Sequence, residues 1–162
     1  MSKRILHDIM KARTEPVDNT IFFPFEDNVY LSHATIIIPD GPYANIPVHV
    51  KIELPKKYPI EAPSAYVLSN LDHKFHEHVH SGGSICCDLT SNFKAFFGEN
   101  LGGGWSSIFN INSLLLQFGS FFSYNIDLPK HLMPSKKDIE NLKVLEEKYE
   151  CKECGYKFVK KE

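Results

Sequence analysis

Apolar and polar positions recur along this chain with two different periods, and each change of period marks an element. In residues 3–12, Ile5, Leu6, Ile9 and Met10 fall at helical spacing while Lys3, Arg4, His7, Asp8 and Lys11 lie elsewhere, which predicts a short amphipathic opening helix. Val48-His-Val-Lys-Ile-Glu-Leu54 alternates strictly with period two and stops at Pro55, as a strand with one face buried does. Tyr30–Ile38 is rich in β-formers and stops at Pro39, and the connector Pro39-Asp-Gly-Pro-Tyr-Ala-Asn45 holds the proline, glycine and Asx residues that turns need. These two segments are predicted to form a hairpin, with Phe22–Phe25 and Ala65–Leu68 as two further strands. From Ser106 onward Ile108, Ile111, Leu114, Leu115, Phe118, Phe121 and Phe122 return to the helical period, with Ser106 as N-cap, and predict a buried central helix. Ser135-Lys-Lys-Asp138 reads as a capping box with Asp in the Glu place, opening a last helix with Ile139, Leu142 and Leu145 on its inner face. Strands run together and helices run together, so the expected fold class is α+β: an N-terminal helix, a four-stranded antiparallel meander, an irregular loop, a central helix and a C-terminal helix.

Composition bounds the function. The 162 residues suit one domain, and 43% hydrophobic with 23% charged residues is the make-up of a folded globular chain. A net charge of -2 argues against a nucleic-acid footprint or a basic membrane patch. No apolar run approaches the roughly 20 residues that span a bilayer, and the start lacks the apolar core of a secretory signal, so the expected location is cytoplasmic or nuclear. Four cysteines occur as two close pairs, Cys86-Cys87 and Cys151-x-x-Cys154, rather than spread as a disulfide framework, which directs attention to thiol chemistry or metal binding.

The stretch Asp72–Asp88 has no usable periodicity, yet it holds four of the eight histidines and both cysteines of the first pair. Long irregular segments inside compact domains usually carry function. Taken in order, Tyr58-Pro59 and Ala62-Pro63, then His76-Glu77-His78-Val-His-Ser-Gly-Gly-Ser-Ile-Cys86-Cys87-Asp88-Leu89, then Trp105-Ser106 and Leu114-Leu115, resemble the catalytic domain of the ubiquitin-conjugating enzymes (E2) over about residues 3–125. The family pattern is a YP…PP segment, a His-Pro-Asn motif ending eight residues before the active cysteine, Gly-x-Ile-Cys-Leu-Asp, a Trp-Ser-Pro loop and a leucine-rich helix.

The resemblance implies the UBC fold over residues 1–148, with 149–162 as a separate tail. It implies that Cys86 accepts ubiquitin or a ubiquitin-like protein from an activating enzyme (E1) as a thioester and passes it to a substrate amine or a ligase (E3), without any cofactor. A thiolate attacks and leaves readily near neutral pH, which suits an acyl carrier. The family Asn that donates to the developing oxyanion is replaced by His78, whose ring N–H can donate too, and the family Pro by Glu77. His76 matches the histidine that supports the loop. Cys87 stands where leucine is usual and reads as packing, or else as a thiol able to pair with Cys86 on oxidation. Asp127 is the nearest match to an aspartate beside the acceptor amine, Ser107 replaces the proline of the Trp-Ser-Pro loop, and the Phe- and Gly-rich stretch 92–104 is longer than in short family members. The rival reading is a non-catalytic E2-like module that binds ubiquitin or a ligase.

Cys151-Lys-Glu-Cys154-Gly-Tyr has the spacing of half a zinc ribbon, so Cys151 and Cys154 are candidate ligands of a structural zinc. Four ligands are needed, and the other two would come from histidines, with the Asp72–His80 cluster as the expected source, or from a second chain.

Overall fold

The structure, a computed structural model, describes residues 3–92, 104–124 and 129–159. Four strands, β1 (Thr20–Phe25), β2 (Asn28–Ile37), β3 (Pro47–Glu53) and β4 (Ser64–Val67), pair antiparallel in the order β1-β2-β3-β4. Among the described residues three longer helices, α1 (Lys3–Thr14), α2 (Ile111–Ser123) and α3 (Lys136–Lys148), complete an α+β fold, with 3-10 turns at Ser81–Gly83 and Lys130–Leu132. No helix among the described residues is long and apolar enough to cross a membrane.

The register fixes which side chains share a face. Ile36 pairs with Val48 and Ala34 with Val50, while Val50 and Ile52 pair with Val67 and Ala65. These residues form one apolar face, which joins Ile111, Leu114, Leu115, Phe118 and Phe122 of α2 in the main core. Burying a side chain such as Phe118, fully enclosed here, contributes about 1.5–3 kcal/mol. By alternation, Phe23, His33, Thr35 and His49 stand on the opposite face, where Phe23 pairs with His33 and Thr35 with His49. His33, Thr35 and His49 are as buried as the core, so that second face is covered too. The cover is the chain beyond α3, whose Tyr156 ring stacks on His49 at 4.7 Å and meets Phe23 edge-on at 5.7 Å.

Three helical expectations need correction. The central helix begins at Ile111, not at Ser106, because Asn110 and Ser113 form a reciprocal capping box, and Ile108 is 80% exposed on the preceding turn. In α1 the buried positions are Ile5, Asp8 and Ala12, while Leu6 and Met10 face outward. Asp8 tolerates burial because Arg4 Nε pairs with it at 2.9 Å and the Tyr58 hydroxyl donates to it at 2.5 Å. In α3 the capping box of Ser135 and Asp138 is present, but the inner position goes to Glu146 and Leu145 is 52% exposed.

Candidate active site

After β4 the chain folds back on itself, and the returning segment carries Cys86. An antiparallel bridge of Tyr66 with Ser84 and the Ile85 N–H bond to the Ala65 carbonyl at 3.0 Å hold the segment against β4, while a bridge of Val79 with Ile85 closes it on itself. His80 N–H bonds the Ser84 carbonyl at 2.9 Å across the 3-10 turn. Gly83 makes this tight return feasible: its φ is +81°, and a Cβ there would lie 2.2 Å from the Val67 carbonyl oxygen. The returning strand then places Cys86 N–H on the His78 carbonyl at 2.9 Å. Two residues eight apart in sequence become direct backbone partners.

His76 lies under this loop, 1% exposed. Its Nε2–H donates to the Phe121 carbonyl at 2.7 Å, which leaves Nδ1 to accept the His78 backbone N–H at 3.1 Å. The ring also stacks on Phe121 at 4.1 Å, so the loop is tied to α2. Burial brings the His76 imidazole down to about 4, with the Phe121 bond opposing, so the ring is neutral at neutral pH and the two bonds define its tautomer. His78 is half-buried, 5.9 Å ring to ring from His76.

The Cys86 thiol is 3% exposed, and its Sγ lies 4.0 Å from the Asn92 carbonyl oxygen. Burial, and then the charge of exposed Asp88, push this thiol above its ordinary value. Cys87 points the other way into the core and burial pushes it up to about 11, which makes it an inert packing residue at neutral pH. Thr90 closes the turn beyond, with its Oγ1 2.8 Å from the Ile85 carbonyl. Asn92 is a residue that sequence reasoning passed over. Its Oδ1 accepts Ala65 N–H at 3.0 Å and its Nδ2 donates to Ser84 Oγ at 2.7 Å, clamping both ends of the loop. A lone Asn at the edge of a glycine-rich run carries no sequence signal for such a role.

Trp105 Nε1–H donates to the Pro59 carbonyl at 2.8 Å and so joins the Trp105 loop to the loop after β3, where the Tyr58–Pro59 peptide is cis. Each of these loops shows an isoleucine, Ile60 or Ile108, that is 80% exposed. Asp127 and residues 93–103, which hold most of the 92–104 stretch, lie outside the described residues.

The model of the ubiquitin-conjugating enzyme family matches residues 4–151 of this chain. The chain belongs to the ubiquitin-conjugating enzyme family. Similar members are the proteins named ubiquitin-conjugating enzyme E2 2 of Kluyveromyces lactis and of Saccharomyces cerevisiae, each 26% identical over 122 residues, 75% of this chain. The chain spans 66% and 63% of the length of these two curated relatives. Among solved structures, the E2 enzymes of Plasmodium vivax (24% identity, TM-score 0.60, 74% of this chain and 99% of that one) and Plasmodium falciparum (23%, 0.61, 75% and 97%) share the fold.

The tail cysteines meet histidines, but not those expected. His33 of β2 and His49 of β3 lie beside them, and the Asp72–His80 cluster does not. Cys151 Sγ is 3.5 Å from His33 Nδ1, Cys154 Sγ is 3.3 Å from His49 Nε2, and the two ring nitrogens are 3.1 Å apart. The expectation failed because sequence proximity to Cys86 made the histidine-rich loop conspicuous, whereas strand register and tail docking choose the neighbours.

Proposed function

We propose that this protein is an E2 enzyme that accepts ubiquitin or a ubiquitin-like protein on Cys86 from an E1 and delivers it to an amine or through an E3. The observation that supports the reading is the backbone pairing of Cys86 with His78 in a chain that belongs to the family, which makes these two residues direct neighbours on one loop. In the loading step the Cys86 thiolate attacks the carbonyl of the E1-bound thioester, a new C–S bond forms and the E1 thiolate leaves. In the discharge step an amine attacks that carbonyl, a C–N bond forms, the amine nitrogen gives up a proton to solvent, the C–S bond breaks and Cys86 leaves as thiolate. Negative charge collects on the carbonyl oxygen meanwhile, and the His78 ring N–H is the group we assign to receive it. His76 positions His78 through the backbone bond and takes no proton itself. Exposed Ile60 and Ile108, on loops joined by the Trp105–Pro59 bond, support ligase contact without the proline that Ser107 replaces. The proposed location is cytoplasmic or nuclear.

The test is incubation with E1, ATP and ubiquitin, read on a non-reducing gel. A band of added ubiquitin mass that thiol reagents remove is expected, lost in Cys86→Ala and kept in Cys87→Ala. No band with any E1 and modifier pair would sink the enzyme reading and leave a binding module. For His78→Ala, loading should stay near wild type while discharge to free lysine slows by roughly 10–1000-fold; equal loss of both steps would remove His78 from the oxyanion.

A further inference from the structure

We propose that His33, His49, Cys151 and Cys154 form an intrachain tetrahedral zinc site that staples the C-terminal tail to the outer face of the sheet. The four candidate donor atoms, two imidazole nitrogens and two sulfurs, all lie within 4.8 Å of one another. Zinc bonds of about 2.0–2.1 Å to nitrogen and 2.3 Å to sulfur, set tetrahedrally, put donor atoms about 3.3 Å apart for N···N and about 3.6 Å for N···S. The 3.1 Å between nitrogens, and 3.5 and 3.3 Å between nitrogen and sulfur, match three of the six edges of such a tetrahedron, and the other three donor pairs lie within 4.8 Å.

The surroundings are those of a built metal site. Each ring turns one nitrogen toward the centre and has a polar group beside the other: Thr35 Oγ1 lies at hydrogen-bond distance, 2.9 Å, from His49 Nδ1, and a Glu153 carboxylate oxygen lies 3.3 Å from His33 Nε2, within ion-pair reach but without hydrogen-bond geometry. Such outer partners orient metal-bound imidazoles and select the tautomer. Cys151, Cys154 and the residues between them form a turn closed by Gly155 N–H on the Cys151 carbonyl and Cys151 N–H on the Tyr156 carbonyl, each at 2.9 Å. Gly155, at φ +79°, supplies the left-handed residue that this turn requires. Phe23, Phe25, Tyr149 and Tyr156 wall the cluster with aromatic rings. His33 and His49 are fully enclosed and Cys151 is 6% exposed, while Cys154 is half-buried, so three of the four donors face one another away from water. Binding replaces two thiol protons by one Zn(II), giving two thiolates, two neutral imidazoles and no net charge, which suits a buried centre. This inference is independent of the chemistry at Cys86.

The full-length protein is stripped of metal under reducing conditions, reloaded with Zn(II) or Co(II), and desalted. One zinc per monomer is expected, and the cobalt form should show intense tetrahedral d–d bands together with a thiolate-to-cobalt charge-transfer band. Affinity should fall more than about 100-fold in Cys154→Ser and in His49→Ala, and about tenfold in Thr35→Val, which keeps the shape of the side chain. His73→Ala, from the cluster beside Cys86, should bind as wild type. Because a ligand variant can misfold, the wild-type cobalt spectrum decides by itself: an octahedral spectrum, less than about 0.2 zinc per chain, or a Cys151–Cys154 disulfide in place of metal overturns the proposal. Full zinc retention in His33→Ala or His49→Ala, or one zinc per metal-dependent dimer, overturns the intrachain ligand set.

Discussion

Glu146 offers the sharpest quantitative test of how α3 and the tail are held. It is 1% exposed, and its carboxylate accepts from Ser69 Oγ–H at 2.5 Å, Asn70 N–H at 2.6 Å and Asn70 Nδ2–H at 2.7 Å. Ser69 Oγ in turn accepts the His49 backbone N–H at 3.0 Å, so the carboxylate braces the strand that carries His49. Glu146→Ala strands three donors, each worth about 1–3 kcal/mol if buried without a partner. Asn70 is exposed, so its two N–H groups regain water, and the mutant also escapes the cost of burying a carboxylate. The remaining loss is Ser69's partner plus the vacated space, about 2–3 kcal/mol. For a chain of this size that lowers Tm by roughly 5–10 °C.

Burial raises the Glu146 pKa above its ordinary 4.5. The folded state therefore holds this proton more tightly than the unfolded chain does. Its contribution is fully present below the ordinary value and is lost as pH rises through the raised folded value. Glu146→Gln keeps an acceptor and does not titrate, so its stability relative to wild type should improve as pH rises from about 4 to 7. Urea denaturation of wild type, Glu146→Ala, Glu146→Gln and the exposed-site control Leu145→Ala at both pH values measures all of this. A Glu146→Ala loss below about 1 kcal/mol at pH 7, or a Gln gap that moves the other way, would refute the reasoning.

Gly83→Ala should destabilise by more than about 2 kcal/mol, because its Cβ would strike the Val67 carbonyl at 2.2 Å, whereas Gly82→Ala, at φ +78° with open space, should lose only about 1 kcal/mol; equal melting temperatures would contradict this. With its pKa near 11, Cys87 is roughly one part in a thousand thiolate at pH 8, so iodoacetamide mapped by mass spectrometry should leave Cys87 unmodified in the folded protein, and rapid labelling there would show that it is not buried. Trp105→Phe removes the donor to the Pro59 carbonyl while keeping most of the ring, and should lower stability by about 1 kcal/mol in thermal unfolding; an unchanged Tm would mean that this bond does not hold the two loops together.

The elements themselves were legible because their signals are local. Period-two alternation in Val48–Leu54, the Ser135–Asp138 capping box and the apolar spacing of α2 each depend on residues a few positions apart, and each is present. The eight-residue spacing of His78 and Cys86 was readable too, but their backbone pairing was not, because it depends on the tight return at Gly83. Face assignments on the short helices were less secure. An aliphatic residue was expected inward at Leu145, yet Glu146 won that position because Ser69, Asn70 and the backbone of α3's neighbour satisfy its charge. Asp8 took its place in the core on the same terms, through Arg4 and Tyr58.

The order of helices and strands, the loop that carries Cys86 and the two cysteines of the tail all follow from local pattern along the chain. Which histidines those cysteines meet was decided only by tertiary structure. His33 and His49 read as polar positions on two strands, and nothing local distinguishes them from solvated ones. They become neighbours because the β2–β3 register sets them diagonally on one face, and they become buried because a tail about a hundred residues away folds over that face. Such a site is assembled from alternation, register and docking together, and only the first of these is written locally in the chain.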